Sequence, residues 1–139
     1  MNLLVPLYFV ADRLRQWRRK NVGAFGEDLA HRYLRRNGYV VVARNWRPPQ
    51  GGGEIDLIAW EGKTLVFVEV KTRSSSGLSN PEREIDDEKR RILRRTAADY
   101  IRRAGHPDSK YRMDVLAIDP VRSSDFQVRH YRNSFRISV

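Results

Sequence analysis

The sequence contains no cysteine among its 139 residues. This absence excludes a disulfide-stabilised fold, a cysteine-ligated zinc or iron–sulfur site, and a thiol nucleophile. Histidine occurs three times, at His31, His106 and His130, and no two of these have the spacing typical of metal ligands. A bound metal would therefore depend on carboxylates, which favours a hard cation such as Mg²⁺ or Mn²⁺.

Long apolar runs are also absent. The mostly apolar residues 3–10 fall far short of the roughly 20 residues that a membrane-spanning helix needs. The basic stretch 13–20 follows them, the reverse of the order in a secretory signal. We interpret residues 1–20 as an N-terminal appendage that could form an amphipathic helix, packed on the domain or docked to a partner or membrane surface. We expect no integral membrane association and a cytoplasmic location.

The composition is that of one basic globular domain. Hydrophobic residues make up 40% of the chain and charged residues 32%, and the length suits a single domain, which we assign to residues 21–139. Lysine and arginine number 27 against 17 acidic residues, so the formal net charge is +10. Such an excess attracts polyanions, of which nucleic acid is the commonest in a cell. The alternative is a basic protein without a specific anionic partner.

Hydrophobic periodicity predicts two helices and five strands. The first helix starts at Val22 and stops at Asn37-Gly38, and the second covers 86–104 and stops at Gly105. The strands are predicted at 39–44, 54–60, 65–71, 111–118 and 126–131. The order is therefore helix, three strands, helix, two strands.

The hairpin around Gly62-Lys63 brings acidic residues together. A two-residue turn pairs Glu61 with Thr64, and the same register places Asp56 opposite Glu69. Side chains alternate along a strand, so Glu54, Asp56, Glu69 and Lys71 are predicted to share one face. The other face is apolar and contains Ile55, Leu57, Ala59, Val66, Val68 and Val70.

This arrangement requires compensation. Facing residues in a hairpin have Cβ atoms about 5 Å apart, and like charges there destabilise the pair. Burying two carboxylates costs several kcal/mol unless a shared proton, a neighbouring cation or a bound metal offsets it. Lys71 supplies one positive charge, which leaves a negative excess that a divalent cation would remove. The alternative is an exposed hairpin with an ordinary charged face.

Two motifs in this region resemble those of a known family. The segments Gly53-Glu54-Ile55-Asp56-Leu57-Ile58 and Phe67-Val68-Glu69-Val70-Lys71-Thr72-Arg73 resemble the YraN-like family of small bacterial proteins. That family belongs by pattern to the restriction-endonuclease-like, PD-(D/E)xK nuclease superfamily and is similar to archaeal Holliday junction resolvases. The resemblance covers roughly residues 22–135 and includes Gly26-Glu27, Lys89, Ala97 and Arg112-Met113-Asp114-Val115. Two departures are Ile55 in place of the superfamily's proline and Met113 in place of an aromatic residue.

The resemblance implies an α/β fold with a mixed central sheet of about five strands flanked by helices. It implies that Mg²⁺ or Mn²⁺ is bound by Asp56, Glu69, Glu27 and the carbonyl of Val70. Lys71 would be a catalytic residue beside the attacking water, and Glu54 would support the ligands without contacting the ion. From the residues alone, Glu27 lies at the edge of the helix's apolar stripe and could reach the hairpin. It could equally be a first-turn acid stabilised by the helix dipole.

The implied activity is hydrolysis of phosphodiester bonds in DNA, including branched or junction DNA, by a protein that could be a homodimer. Candidate contacts to nucleic acid are Arg73, Lys89 and Arg90. Lys89 sits on the core-facing side of the second helix, where it needs an acidic partner or a phosphate, or extends to solvent. Arg90 could contact a phosphate or belong to a solvated helix face. The alternatives to a nuclease are a non-catalytic nucleic-acid-binding protein with the same fold, and an interaction factor that uses residues 2–20.

Overall fold

The computed structural model describes residues 5–6, 22–73, 81–105, 108–122 and 125–137. These form two α-helices, α1 (Val22–Arg36) and α2 (Asp87–Ala104), and a 3-10 helix at Pro81–Glu84. The strands are β1 (Val5–Pro6), β2 (Val40–Trp46), β3 (Ile55–Glu61), β4 (Thr64–Thr72), β5 (Lys110–Arg122) and β6 (Asp125–Phe135). The predicted α/β class is confirmed, and the architecture is consistent with a restriction-endonuclease-like fold.

The strands form one mixed sheet in the order β1-β6-β5-β4-β3-β2. Strands β4 and β5 are parallel, because α2 carries the chain back between them, and the other neighbours are antiparallel. The hairpin register is the predicted one: Glu61 pairs with Thr64, and Leu57 pairs with Val68. The five long strands match the predicted number, and the two-residue β1 adds a sixth at the edge.

Each helix covers one face of the sheet. Leu29, Ala30, Tyr33 and Leu34 of α1 pack on a buried cluster that includes Leu57, Ala59, Val66 and Val68. Leu93, Ala97 and Ile101 of α2 pack on the opposite face against Ile58, Leu65, Phe67 and Met113. Asp86 caps α2 by accepting a hydrogen bond from the Lys89 amide, and Gly105 ends the helix in a left-handed conformation. Both predicted helices thus pack through their apolar stripes.

The N-terminal segment is described only at Val5–Pro6, which pairs with Phe126 and Asp125 at the edge of β6. These two residues therefore belong to the sheet. The rest of the predicted amphipathic helix lies outside the described residues. Among the helices of the described ranges, none is long and apolar enough to cross a membrane.

A buried ionic network joins β5 to β6 and, through Arg112, to Glu61 at the end of β3. Asp114 is fully buried and accepts hydrogen bonds from Arg112 Nε (2.8 Å) and the Asn133 amide (2.9 Å). Its second oxygen lies 2.7 Å from His130 Nε2. These partners lower the pKa of Asp114 against the effect of burial, which alone would raise it. Asp114 is therefore a structural anchor between β5 and β6.

Candidate metal centre

Asp56 is the centre of the acidic region. Its Oδ2 accepts a hydrogen bond from the Val70 amide at 2.8 Å, which ties the start of β3 to the end of β4. Burial is the main reason that the pKa of Asp56 is raised to about 7, and the charge of Glu69 adds to it. The Val70 bond opposes the shift, whereas Glu27 and Glu54 reinforce it. The carboxylate is thus held where ionisation is costly unless a cation is near.

A break in strand alternation shapes this site. Residues on one face of a regular strand are an even number of positions apart. In β2, however, Ala43 and Trp46 both pack on the α2 side of the sheet, and in β3 Ile55 and Ile58 do the same, although each pair is three positions apart. The break falls at Asn45, which has a left-handed φ of 51°, and at the neighbouring Asp56 in β3. The prediction that Ile55 shares a face with Leu57 is therefore wrong, because regular alternation does not continue through Asp56.

Helix α1 contributes Glu27. The helix begins at Val22, so Glu27 lies beyond its first turn and the first-turn interpretation is wrong. Gly26 makes the approach feasible, because a Cβ at this position would lie 1.8 Å from Thr72 Oγ1 in β4. The close contact brings α1 onto the end of the hairpin. The structure therefore places Glu27 beside Glu54 and Asp56, which is one of the two alternatives that its sequence position left open.

Three carboxylates converge here: one oxygen each from Glu27, Glu54 and Asp56 lies within 4.8 Å of the others. Asn45 Nδ2 donates to both glutamates, at 2.9 Å to Glu27 and 3.0 Å to Glu54. Arg47 Nη2 adds an ion pair to Glu54 at 2.5 Å. Sequence reasoning assigned no role to Asn45, because its contribution depends on a backbone conformation that strand patterns do not reveal.

Glu69 approaches from the α2 side. Its side chain is 7% exposed, and Oε1 lies 3.7 Å from Lys89 Nζ. Burial raises the pKa of Glu69, while the charges of Lys89 and Lys71 lower it. The other oxygen, Oε2, is buried without a hydrogen-bond partner. Lys89 therefore has the acidic partner that its position required, and Glu69 retains one carboxylate oxygen that no described group satisfies.

The remaining predicted residues take different positions. Arg73 is 11% exposed and pairs with Glu84 at 2.9 Å and Asp119 at 3.3 Å, so its charge is engaged inside the protein. The Arg90 guanidinium lies 5.7 Å from the centre of the Phe135 ring. Lys71 forms no ion pair with a carboxylate in the described ranges and acts on Glu69 through its charge. Nucleic-acid contacts by Arg73, Lys89 and Arg90 stay a prediction.

The residues fit a divalent cation. All the charged groups of the three-residue set are oxygen donors, which Mg²⁺ and Mn²⁺ prefer. The unsatisfied Oε2 of Glu69 is the kind of buried acceptor that needs a cation or a donor. The raised pKa of Asp56 also favours a bound cation, because burial and the charges of neighbouring carboxylates make its ionised form costly.

Comparison with known proteins identifies the family. The model of Uncharacterised protein family UPF0102 matches residues 26–118. The chain belongs to UPF0102. A UPF0102 protein of Solibacter usitatus is 54% identical over 113 residues, which are 81% of this chain and 86% of the relative. One of Rhodococcus jostii is 45% identical over 114 residues, 82% and 95% of the two chains. One of Geobacter sulfurreducens is 40% identical over 119 residues, 86% and 91% of the two chains.

The UPF0102 match begins at Gly26 and ends at Ile118. It therefore contains the four acids of the candidate site, which are Glu27, Glu54, Asp56 and Glu69, together with Lys71 and Lys89. Strand β6 and residues 1–20 lie outside it. The predicted family is confirmed, whereas the UPF0102 description names no activity.

Proposed function

We propose that this UPF0102 protein is a metal-dependent nuclease that hydrolyses phosphodiester bonds in DNA. The observation that carries the proposal is the convergence of three carboxylates within 4.8 Å beside a buried Glu69 oxygen without a partner. The net charge of +10 suits a polyanionic substrate. Branched DNA as substrate, a homodimer and a cytoplasmic location belong to this proposal through the family resemblance alone.

The described side chains suggest a division of roles. Asp56, Glu27 and Glu54 would hold Mg²⁺ or Mn²⁺, with Glu69 completing the site from the α2 side. The ion supplies charge neutralisation at the scissile phosphate and a lowered pKa of bound water. Asn45 orients the two glutamates, and the Val70 amide orients Asp56. Lys71 adds positive charge next to Glu69, where it would favour an attacking hydroxide and an anionic phosphate.

Cleavage assays test this function. Supercoiled, nicked, branched and single-stranded DNA are incubated with the protein and Mn²⁺ or Mg²⁺, and the products are separated by electrophoresis. We expect cutting that EDTA abolishes, and a loss of at least about 100-fold in Asp56→Asn and Glu69→Gln, since each variant removes a charge that the ion needs. Glu88→Gln, at an exposed residue of α2, is the matched control. Equal activity in all three variants would refute the assignment.

A second function is supported by the ion pairs of the site. Lys89 neutralises Glu69, and Asn45 and Arg47 satisfy Glu54, so the acids also have protein partners. A nucleic-acid-binding protein without catalysis would use these contacts only to hold its fold. This function predicts salt-sensitive DNA binding that Asp56→Asn leaves unchanged, with no cleavage of any substrate.

A further inference from the structure

A positively charged cleft lies beside the acidic site, between α1 and β2. It encloses about 450 Å³ and is lined by Asp28, His31, Arg32, Arg35, Arg36 and Arg44. The five helical residues recur at three- and four-residue steps, so they project from the outer face of α1. The opposite face of the helix, with Leu29, Ala30, Tyr33 and Leu34, is buried in the core. The cleft therefore belongs to the surface and is built on a rigid helix.

Positive charge dominates this cleft. Its acidic residue, Asp28, is paired with Arg44 at 2.5 Å. In the described part of the chain, Arg32, Arg35 and Arg36 have no carboxylate within 4.0 Å. Burial lowers the pKa of His31, and the charges of Arg44 and Arg35 lower it further. The guanidinium groups of Arg32, Arg35 and Arg36, which no described carboxylate neutralises, give the cleft its attraction for anions.

The cleft adjoins the acidic site directly. Arg44 Nε also lies 3.7 Å from Glu27 Oε2, so one residue belongs to both places. From Arg32 to Arg36 the helix rises about 6 Å, which is roughly two steps of a nucleic-acid strand at about 3.4 Å each. The three helical arginines of the cleft are distributed along that length. Charges in a row suit a chain of phosphates better than a single small anion.

We infer that this cleft binds the phosphate backbone of a nucleic acid and leads the strand to the acidic site. The inference rests on the proposed nuclease function and adds where the substrate lies. It assigns backbone contacts to Arg32, Arg35 and Arg36, whose guanidinium groups have the geometry to pair with phosphate oxygens. Such contacts bind without reading sequence.

Equilibrium binding without metal separates this inference from catalysis. Anisotropy of a fluorescent DNA duplex in EDTA is measured over a range of salt concentrations for two variants with equal charge loss. The test variant is Arg32→Ala/Arg35→Ala/Arg36→Ala. The control removes three exposed arginines elsewhere, Arg83→Ala/Arg91→Ala/Arg102→Ala. We expect Kd to rise at least about tenfold in the test variant, with the salt slope reduced by about 2 to 3, and to change less than about threefold in the control.

Any of three results of the binding measurements would overturn the inference: equal losses in both variants, since net charge alone would then explain binding; unchanged binding in the test variant; or no binding by the native chain. Displacement of DNA by inorganic phosphate, but not by NaCl at equal ionic strength, would indicate a small-anion site and overturn it too. If the triple variant does not fold, Arg35→Glu against Arg91→Glu makes the same comparison. If the test variant loses DNA binding and the native chain cleaves no DNA, the nuclease proposal is refuted. The assignment of the cleft as a binding site for the phosphate backbone is then still supported.

Discussion

Replacing Asp56 by asparagine should stabilise the metal-free protein at pH 8. The pKa of Asp56 is raised to about 7 in the folded chain, mainly by burial and the charge of Glu69. In the unfolded chain this carboxyl returns to its ordinary value of 3.8. Between these values the folded state binds more protons than the unfolded state, so the free energy of unfolding falls as pH rises. Asparagine has no charge to bury at any pH.

The size of the stabilisation by Asp56→Asn follows from the raised pKa of Asp56 in the folded chain. A raise of about 3 units at about 1.36 kcal/mol each gives an upper bound of about 4 kcal/mol above pH 7. The carboxylates of Asp56 and Glu69 repel each other, and protonation of either one removes that repulsion. We therefore expect a measured gain below the upper bound, of about 1 to 3 kcal/mol. For a domain of this size that is roughly 3 to 10 °C in Tm. The gain should shrink to nothing as pH falls to about 4, where the native carboxyl is protonated as well.

Urea unfolding at pH 4, 6 and 8 in EDTA measures this effect. Asp108→Asn, at an exposed acid before β5, is the control and should change stability by less than about 0.5 kcal/mol. Mn²⁺ at 1,000 times Kd should make the native protein the more stable of the two at pH 8, since binding then adds about 4.1 kcal/mol to its stability and nothing to that of Asp56→Asn. An Asp56→Asn variant that is less stable at pH 8, or whose gain does not vary with pH, would refute the reasoning.

Three further outcomes are expected. Mn²⁺ affinity, measured by calorimetry, should rise with pH and level off above about 7, because Asp56 must lose its proton to bind the ion; affinity that does not vary with pH would contradict this. Asn45→Gly, which permits the left-handed conformation at this position, should weaken Mn²⁺ binding about 10- to 100-fold while the fold survives, because both glutamates lose their shared donor. Asp114→Asn should lower the free energy of unfolding by about 3 to 5 kcal/mol, because Arg112 is left buried without its full partner.

Local patterns were sufficient to predict most of the fold. The helical period ending at Asn37-Gly38 predicted α1, which ends at Arg36. The turn at Gly62-Lys63 gave the observed pairing of Glu61 with Thr64. The two-residue β1 was not predictable, because so short a strand has no period, and its pairing with β6 depends on distant residues.

The candidate site was predictable only as far as strand alternation holds. Regular alternation predicted that Glu54, Asp56 and Glu69 share one face, but the carboxylates found within 4.8 Å of one another are those of Glu27, Glu54 and Asp56. It could not predict the break at Asn45, which depends on one left-handed backbone conformation. Nor could it pair Glu69 with Lys89, which lies 20 positions away on another element. Long-range packing, which no local pattern encodes, decides both features.

The most direct test of the account is an Mn²⁺ titration of the native chain followed by electron paramagnetic resonance, with Asp56→Asn and Asp28→Asn measured alongside. Asp28 is adjacent in sequence to Glu27 but pairs with Arg44, outside the set of three carboxylates. We predict that the native chain and Asp28→Asn bind Mn²⁺ and that Asp56→Asn does not. Native protein that leaves Mn²⁺ free at pH 8, or Asp56→Asn that binds it as tightly, would contradict the account.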